Sequence, residues 1–309
     1  MKKSLIALAV AGAMTAPILA QADATLYGIA EMRLIDEDNN DLDLNMNKTR
    51  LGVKGTVDND IEGLESFYQF EWEFNANGDS LSGAVSNDTT VRKSLVGLKG
   101  GFGSVIFGRQ NAHASATHKA DIFKRGSGYA VATPDRYGNS MSYVTPSMGG
   151  LEAYIQVVTE ANLGGADEDV DLTAVGVNYS ANGLGAAISY TETDKESLGG
   201  AATDDSEIIE AAVSYSMDAF YVAGYYADID NGGESTNNFA IAASYTIGKA
   251  VLKAGYDEVE NASGNDDGEQ IILHAGYKLG AKAYTYVQYQ DRNDAAGNDA
   301  LSLGYSLAF

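Results

Sequence analysis

The feature that most limits what this chain can fold into is an alternation of apolar and polar residues at period two along almost its whole length. Successive strand residues point to opposite faces. In the last segment Leu301, Leu303, Tyr305, Leu307 and Phe309 share one face, and Ser302, Gly304, Ser306 and Ala308 share the other. Tyr68, Phe70, Trp72 and Phe74 likewise alternate with Gln69, Glu71 and Glu73. A strand carrying carboxylates on its second face cannot be buried on both sides. One face must be wet while the other meets an apolar medium.

Runs of this kind stand at about 24–34, 44–56, 63–74, 91–99, 103–109, 138–145, 151–159, 171–179, 184–191, 207–215, 219–227, 238–247, 250–256, 270–278, 282–290 and 300–309. Most approach the roughly 9 to 11 residues that a tilted strand needs to cross the hydrocarbon layer. Sixteen antiparallel strands can pair first with last, which removes the edges that lipid would not tolerate. A soluble β-sandwich or β-helix also alternates, so the connections have to discriminate. Short links such as Gly100-Gly101-Phe102, Ser180-Ala181-Asn182-Gly183 and Gly248-Lys249 take turns with long ones such as Asp36 to Asp43, Glu160 to Val170, Glu192 to Ser206 and Asp257 to Glu269. Short turns at one end and long loops at the other are the habit of membrane barrels. The fold expected is an all-β, transmembrane antiparallel barrel of sixteen strands.

The first residues agree. Lys2 and Lys3 precede an apolar run from Leu5 to Ala20 that is too short for a spanning helix, contains Pro17 and ends on Ala20-Gln21-Ala22, a small-x-small cleavage pattern. A cleaved export signal over 1–22 and a mature domain over 23–309 follow, with a membrane anchor as the alternative. No later stretch is long and apolar enough for a helical span. With no cysteine, disulfide frameworks and Cys-based metal or redox motifs are excluded. A net charge of −23 excludes nucleic acid as a partner.

Several motifs then fall into a familiar order: Thr25-Leu26-Tyr27-Gly28, Thr49-Arg50-Leu51-Gly52-Val53-Lys54-Gly55, Val96-Gly97-Leu98-Lys99-Gly100-Gly101-Phe102-Gly103 running into Gly108-Arg109-Gln110, Ser142-Tyr143-Val144-Thr145-Pro146-Ser147, and Tyr305-Ser306-Leu307-Ala308-Phe309. In that order and spacing the mature chain resembles the Gram-negative general porin family. The resemblance implies an outer-membrane homotrimer whose water-filled pore passes small hydrophilic solutes and ions, in contact with outer-membrane lipid and lipopolysaccharide. It implies that the third loop, about Asn111 to Tyr137, folds into the lumen and narrows it, and that early strands make the trimer contacts. It also makes the terminal strand, with Tyr305, Leu307 and above all Phe309, the signal read by the outer-membrane assembly machinery. No cofactor is implied.

The residues themselves suggest where selectivity resides. Lys48, Arg50 and Lys54 share one parity while Leu51 and Val53 take the other, so the cations face the lumen; on the lipid side each would cost about 2 to 4 kcal/mol. They form either a positive ladder or pairs with Glu71 and Glu73 on the next strand. In the third loop Lys119, Lys124, Arg125 and Arg136 outnumber Asp121 and Asp135, with Arg109 at its base. In a narrow opening such charges count heavily, and they either favour anions or anchor the loop to the wall. Acids crowd the outer loops: Asp36, Glu37, Asp38, Asp41 and Asp43, then Asp167, Glu168, Asp169 and Asp171, then Asp266, Asp267 and Glu269. These either collect divalent cations or form a solvated acidic face. Asn265-Asp266-Asp267-Gly268 lacks the ligand spacing of a calcium loop.

Two other classes compete with a channel. A barrel hydrolase needs a base placed beside a nucleophile, and no sequence signature sets a Ser, Asp or Asn beside His113, His118 or His274. No catalytic site and no metal site are therefore expected. An adhesin could use the acidic loops but leaves the polar face unexplained. The nearest rival to a general porin is a substrate-specific outer-membrane channel.

Overall fold

The computed structural model describes residues 24–46, 48–75, 78–79, 84–85, 88–126, 129–160, 169–195, 204–231, 235–260, 267–293 and 295–309. The expected export signal and its cleavage point lie outside these residues, as do Asp167, Glu168 and Asp266. Sixteen long strands form the wall: β1 (Thr25–Glu37), β2 (Thr49–Asp58), β3 (Leu64–Asn75), β4 (Asp88–Gly100), β5 (Gly103–Asn111), β6 (Arg136–Val144), β7 (Leu151–Val158), β8 (Leu172–Ala181), β9 (Leu184–Thr193), β10 (Ser206–Met217), β11 (Phe220–Asn231), β12 (Ser235–Ile247), β13 (Ala250–Val259), β14 (Gly268–Lys278), β15 (Ala283–Arg292) and β16 (Ala300–Ala308). Each pairs antiparallel with the next, and β16 returns to β1 in a continuous register from Ile29↔Ala308 to Glu37↔Ala300. The sheet has no free edge, as lipid requires.

Several strands run past the end of their alternation on the long-loop side. β1 continues to Glu37 and β12 begins at Ser235, each three residues beyond the periodic run. Hydrogen bonding between strands persists there. The apolar face does not, because both faces are wet above the hydrocarbon. One strand departs from expectation: the run 44–56 is broken into Asp43–Asn45, which pairs with β1, and β2. Lys48, between them, has a positive φ of 60° that extended backbone cannot contain. At the opposite end, Asn182 and Gly183 both have positive φ and close a two-residue hairpin of the kind whose twist suits strand pairs.

The faces are inverted relative to a soluble protein. Leu301, Leu303, Tyr305 and Leu307 are exposed on the outside, whereas Ser302, Ser306, Gln288 and Gln290 are buried on the inside. The segment between β5 and β6 is what buries much of that inner face. Its Ala120, Phe123 and Ala130 pack on Ala212, Ala223, Tyr225, Ala227, Ala240, Ala242 and Ile272 of β10, β11, β12 and β14. These wall positions are small or apolar although they point inward, since here the inner face meets protein and not water.

Candidate functional site

The loop after β5 starts as a short 3-10 turn, His113–Thr117, and then runs along the inner wall. A series of wall side chains grips its backbone. Tyr221 donates to the Lys119 carbonyl at 2.7 Å, Lys253 to the Ile122 carbonyl, Gln288 to the Arg125 carbonyl at 2.6 Å, Gln270 to the Gly126 carbonyl at 2.8 Å and Asn238 to the Ala130 carbonyl at 2.9 Å. The Lys124 amide donates to Gln288 in return. Gly126 sits at φ +66°, and a Cβ there would collide with the Gln290 amide nitrogen, so the loop passes the wall at backbone distance.

Buried carboxylates hold the rest. Glu210 is fully buried and accepts from Tyr225 at 2.7 Å, from Thr133 Oγ1 at 2.8 Å and from Ser189 at 3.3 Å. His118 stands 3.8 Å from both Glu210 and Asp135. Its burial pushes the imidazole pKa down, against the pull of those two acids, which favours the neutral ring. Glu31, also fully buried, pairs with Lys124 Nζ at 2.8 Å, and Glu37 pairs with Arg125. The sequence groups Glu37 with the acids of the first outer loop; it lies instead on the inner face at the end of β1. Lys124 and Arg125 are thus held against the wall.

Neutralising the loop's cations in this way changes which charges face open space. A recess of about 720 Å³ is lined by Lys48 from the wall and by Asp121 and Asp135 from the loop. Burial raises the Asp121 pKa to about 6, with Lys48 opposing and Asp135 reinforcing the shift. Asp135 also lies 3.4 Å from Arg136. The loop offers acids to a basic wall, the reverse of what its count of Lys and Arg suggests.

The basic wall is built around a β-bulge. Glu71 opposes Lys93 and Trp72 opposes Val91, so Arg92 is an extra residue and both Arg92 and Lys93 turn inward. Arg92 binds Glu71 at 2.7 Å and Glu73 at 3.0 Å, and Arg50 binds Glu73 at 2.6 Å. For Arg50 the pairing alternative therefore holds. Tyr27 donates to the second oxygen of Glu71 at 2.9 Å. Among the described residues no carboxylate comes within 4.0 Å of the Lys48, Lys54 or Lys93 ammonium. Lys48, though off the strand, still points inward and lies 3.5 Å from the Lys124 carbonyl.

Arg109 departs from its expected place. It opposes Ser94, on the parity of exposed Phe107 and Val96, and its Nε donates to the Val91 carbonyl at 2.8 Å. It braces the bulged edge from the outer side. Glu31, Arg33, Arg92, Lys93, Glu210 and Lys253 are charged residues of the inner face that the sequence reading does not name. Parity places Glu31, Arg33 and Lys253 inward, so that signal is available; Arg92 has none, because a bulge breaks the period that would expose it.

A closed antiparallel barrel, apolar outside and polar inside, with a long loop laid along its inner wall, defines a β-barrel of the outer-membrane type. The chain matches the family model described as Gram-negative porin over residues 7–297, and it belongs to that family. It is 31% identical over 183 residues to the major outer membrane protein P.IB of Neisseria meningitidis serogroup B, a match covering 53% of this chain and 51% of that protein. To an outer membrane porin protein of Bordetella pertussis it is 30% identical over 202 residues, covering 55% of this chain and 50% of that one. The chain spans about half the length of the curated relatives it matches. Among solved structures, Salmonella typhi OmpF in complex with daunomycin superposes with a TM-score of 0.77 at 19% identity, covering 93% of this chain and 97% of that one. The anion-selective porin from Comamonas acidovorans gives 0.72 at 20% identity, covering 94% and 100%. The trimer form of OmpT from Vibrio cholerae gives 0.73 at 18%, covering 93% and 99%. At these identities the likeness concerns the fold.

Proposed function

We propose that this chain, after export directed by residues 1–22, forms a water-filled pore in the outer membrane through which small hydrophilic solutes and ions diffuse. The observation that carries the reading is the inner face itself, polar along its strands and narrowed by a gripped loop whose Asp121 and Asp135 face a basic wall. Opposite charges across a narrow opening orient hydrated dipolar solutes and disfavour apolar ones. The protein acts as a channel and carries out no chemistry. In support, His113 bonds Ser142 at 2.9 Å and His274 lies between Gln288 at 3.1 Å and Tyr284 at 2.7 Å, as wall-bracing groups would. Liposome swelling with sugars of rising size tests it: rates should fall smoothly with size, whereas a sharp preference among isomers of one size would mean a substrate-specific channel.

The working form is a homotrimer in contact with lipid and lipopolysaccharide. Unheated samples in mild detergent should migrate as trimer and heated ones as monomer; a monomer under every mild condition would refute the assembly.

Ion preference should depend on pH through Asp121. With its pKa near 6, the carboxyl is charged at pH 7 and neutral at pH 5. Acidification therefore removes a negative charge from the recess, and the reversal potential in a salt gradient should move toward anions. Asp121→Asn should sit at the low-pH value throughout. An undiminished pH response in that variant would place the titrating group elsewhere.

A further inference from the structure

Below the 3-10 turn, between the loop and the short-turn rim, the lumen has a second recess of about 730 Å³, bordered by part of the same basic wall. Lys54, Lys93 and Lys99 supply its cations. Lys99 is neutralised by Glu65 at 2.6 Å. Among the described residues no carboxylate pairs with Lys54 or Lys93 in that way. The acid opposite Lys93 is Glu71, whose two oxygens are committed to Arg92 and Tyr27. Lys54 lies over the Tyr27 ring, at 5.5 Å. The two lysines stand on β2 and β4 with β3 between them, and because Lys54 opposes Gln69 and Lys93 opposes Glu71 they are also two residues out of step; at the usual strand spacing and rise their Cα atoms are about 12 Å apart, so both long side chains can reach one anion.

The remaining wall is unlike the rest of the lumen. Phe67 and Ile106, half-buried and inward-pointing, line it beside the buried Leu95. In a water-filled passage, exposed apolar side chains cost free energy unless a solute's apolar surface removes them from water. Cations on one side and an apolar shelf on the other match an anion with an apolar body. A bare inorganic anion would leave the shelf wet, and a sugar would leave the lysines unanswered.

We infer that this recess is a binding subsite for small organic carboxylates with an aromatic or short aliphatic body, held by Lys54 and Lys93 at the carboxylate and by Phe67 and Ile106 at the body. The assignment rests on the pore reading only for the ligand's route of entry. It gives the pore a resting place for amphipathic anions on the periplasmic side of the loop.

Saturation-transfer NMR on the detergent-solubilised whole protein tests it, with benzoate, acetate and benzyl alcohol as probes. Benzoate should bind roughly tenfold or more tightly than either partial mimic, the ratio expected when a charge-assisted contact or an apolar contact is missing. Lys54→Gln with Lys93→Gln, checked for heat-modifiable migration, should bring benzoate to the level of benzyl alcohol. Ile106→Asn should bring it toward acetate. If the double variant does not assemble, Lys54→Gln alone, at an exposed position, should still weaken benzoate several-fold. Equal binding of the three probes, or benzoate binding unchanged in the lysine variants, overturns the assignment. Because binding is read without current, absence of conductance would sink the pore reading and leave this result standing.

Discussion

Lys124→Glu is expected to raise single-channel conductance and admit larger sugars, an effect far greater than any change in ion preference. Its ammonium lies 2.8 Å from Glu31 Oε2, and that carboxylate is fully buried. Reversal sets two carboxylates against each other in a site with little water. Removing one partner of a buried pair costs on the order of 3 kcal/mol, because the other is left uncompensated. The remaining cation, Arg33, is 3.6 Å from the other oxygen, too far for a hydrogen bond. The loop relieves the conflict by leaving the wall at Lys124, which also strips the Arg33 and Lys48 contacts from the Lys124 carbonyl. Lys124→Met should show a weaker form of the same change, and Glu31→Lys with Lys124→Glu should restore most of the narrowing. Conductance and size limit measured on one preparation decide it: a shifted reversal potential with both unchanged would make Lys124 a filter and not an anchor.

Phe309→Asp should abolish most of the barrel assembled in the outer membrane. The terminal residue completes the seam: its amide donates to the Gly28 carbonyl at 3.1 Å, and its own carbonyl accepts from the Gly28 amide at 3.2 Å. The ring lies over Gly28, where a Cβ would collide with the ring's Cζ, so only glycine lets the aromatic cover the joint. Tyr305 and Leu307 continue the same exposed outer row. Near the interface the charge alone costs only about 0 to 1 kcal/mol. The larger effect is expected from loss of the terminal assembly signal that the family resemblance implies. Phe309→Tyr, which keeps the ring, should assemble nearly normally. Heat-modifiable protein in the outer-membrane fraction at the wild-type level for Phe309→Asp would show that the signal lies elsewhere.

Much of the fold is written locally. Leu301 to Phe309 and Tyr68 to Phe74 show the two-phase environment residue by residue, because each strand must satisfy lipid and water by itself. Sixteen such runs, and the alternation of short with long links, carry strand number, antiparallel order and closure without any long-range knowledge. The parity of Arg50 and Lys54 reveals their lumen orientation on the same ground. Even the division into inner and outer faces needs only the period.

What depends on contacts between distant segments cannot be read this way. Lys124 and Glu31 meet across the lumen, and only once they meet does a basic loop present its acids, Asp121 and Asp135, to the passage. The bulge at Arg92 adds a third inward cation to Lys93 and Lys99 of β4 by interrupting the period that would have revealed it. Register sends Arg109 outward beside Ser94, and the backbone turns at Lys48 where alternation predicts a continuous strand. Inward alanines such as Ala223 and Ala242 look like defects in a polar lining until the loop packs on them. Local alternation is enough for the barrel, because the membrane acts on every strand separately. Which charges are left to face the water follows from closure, because a charge is removed by its partner and closure assigns the partners.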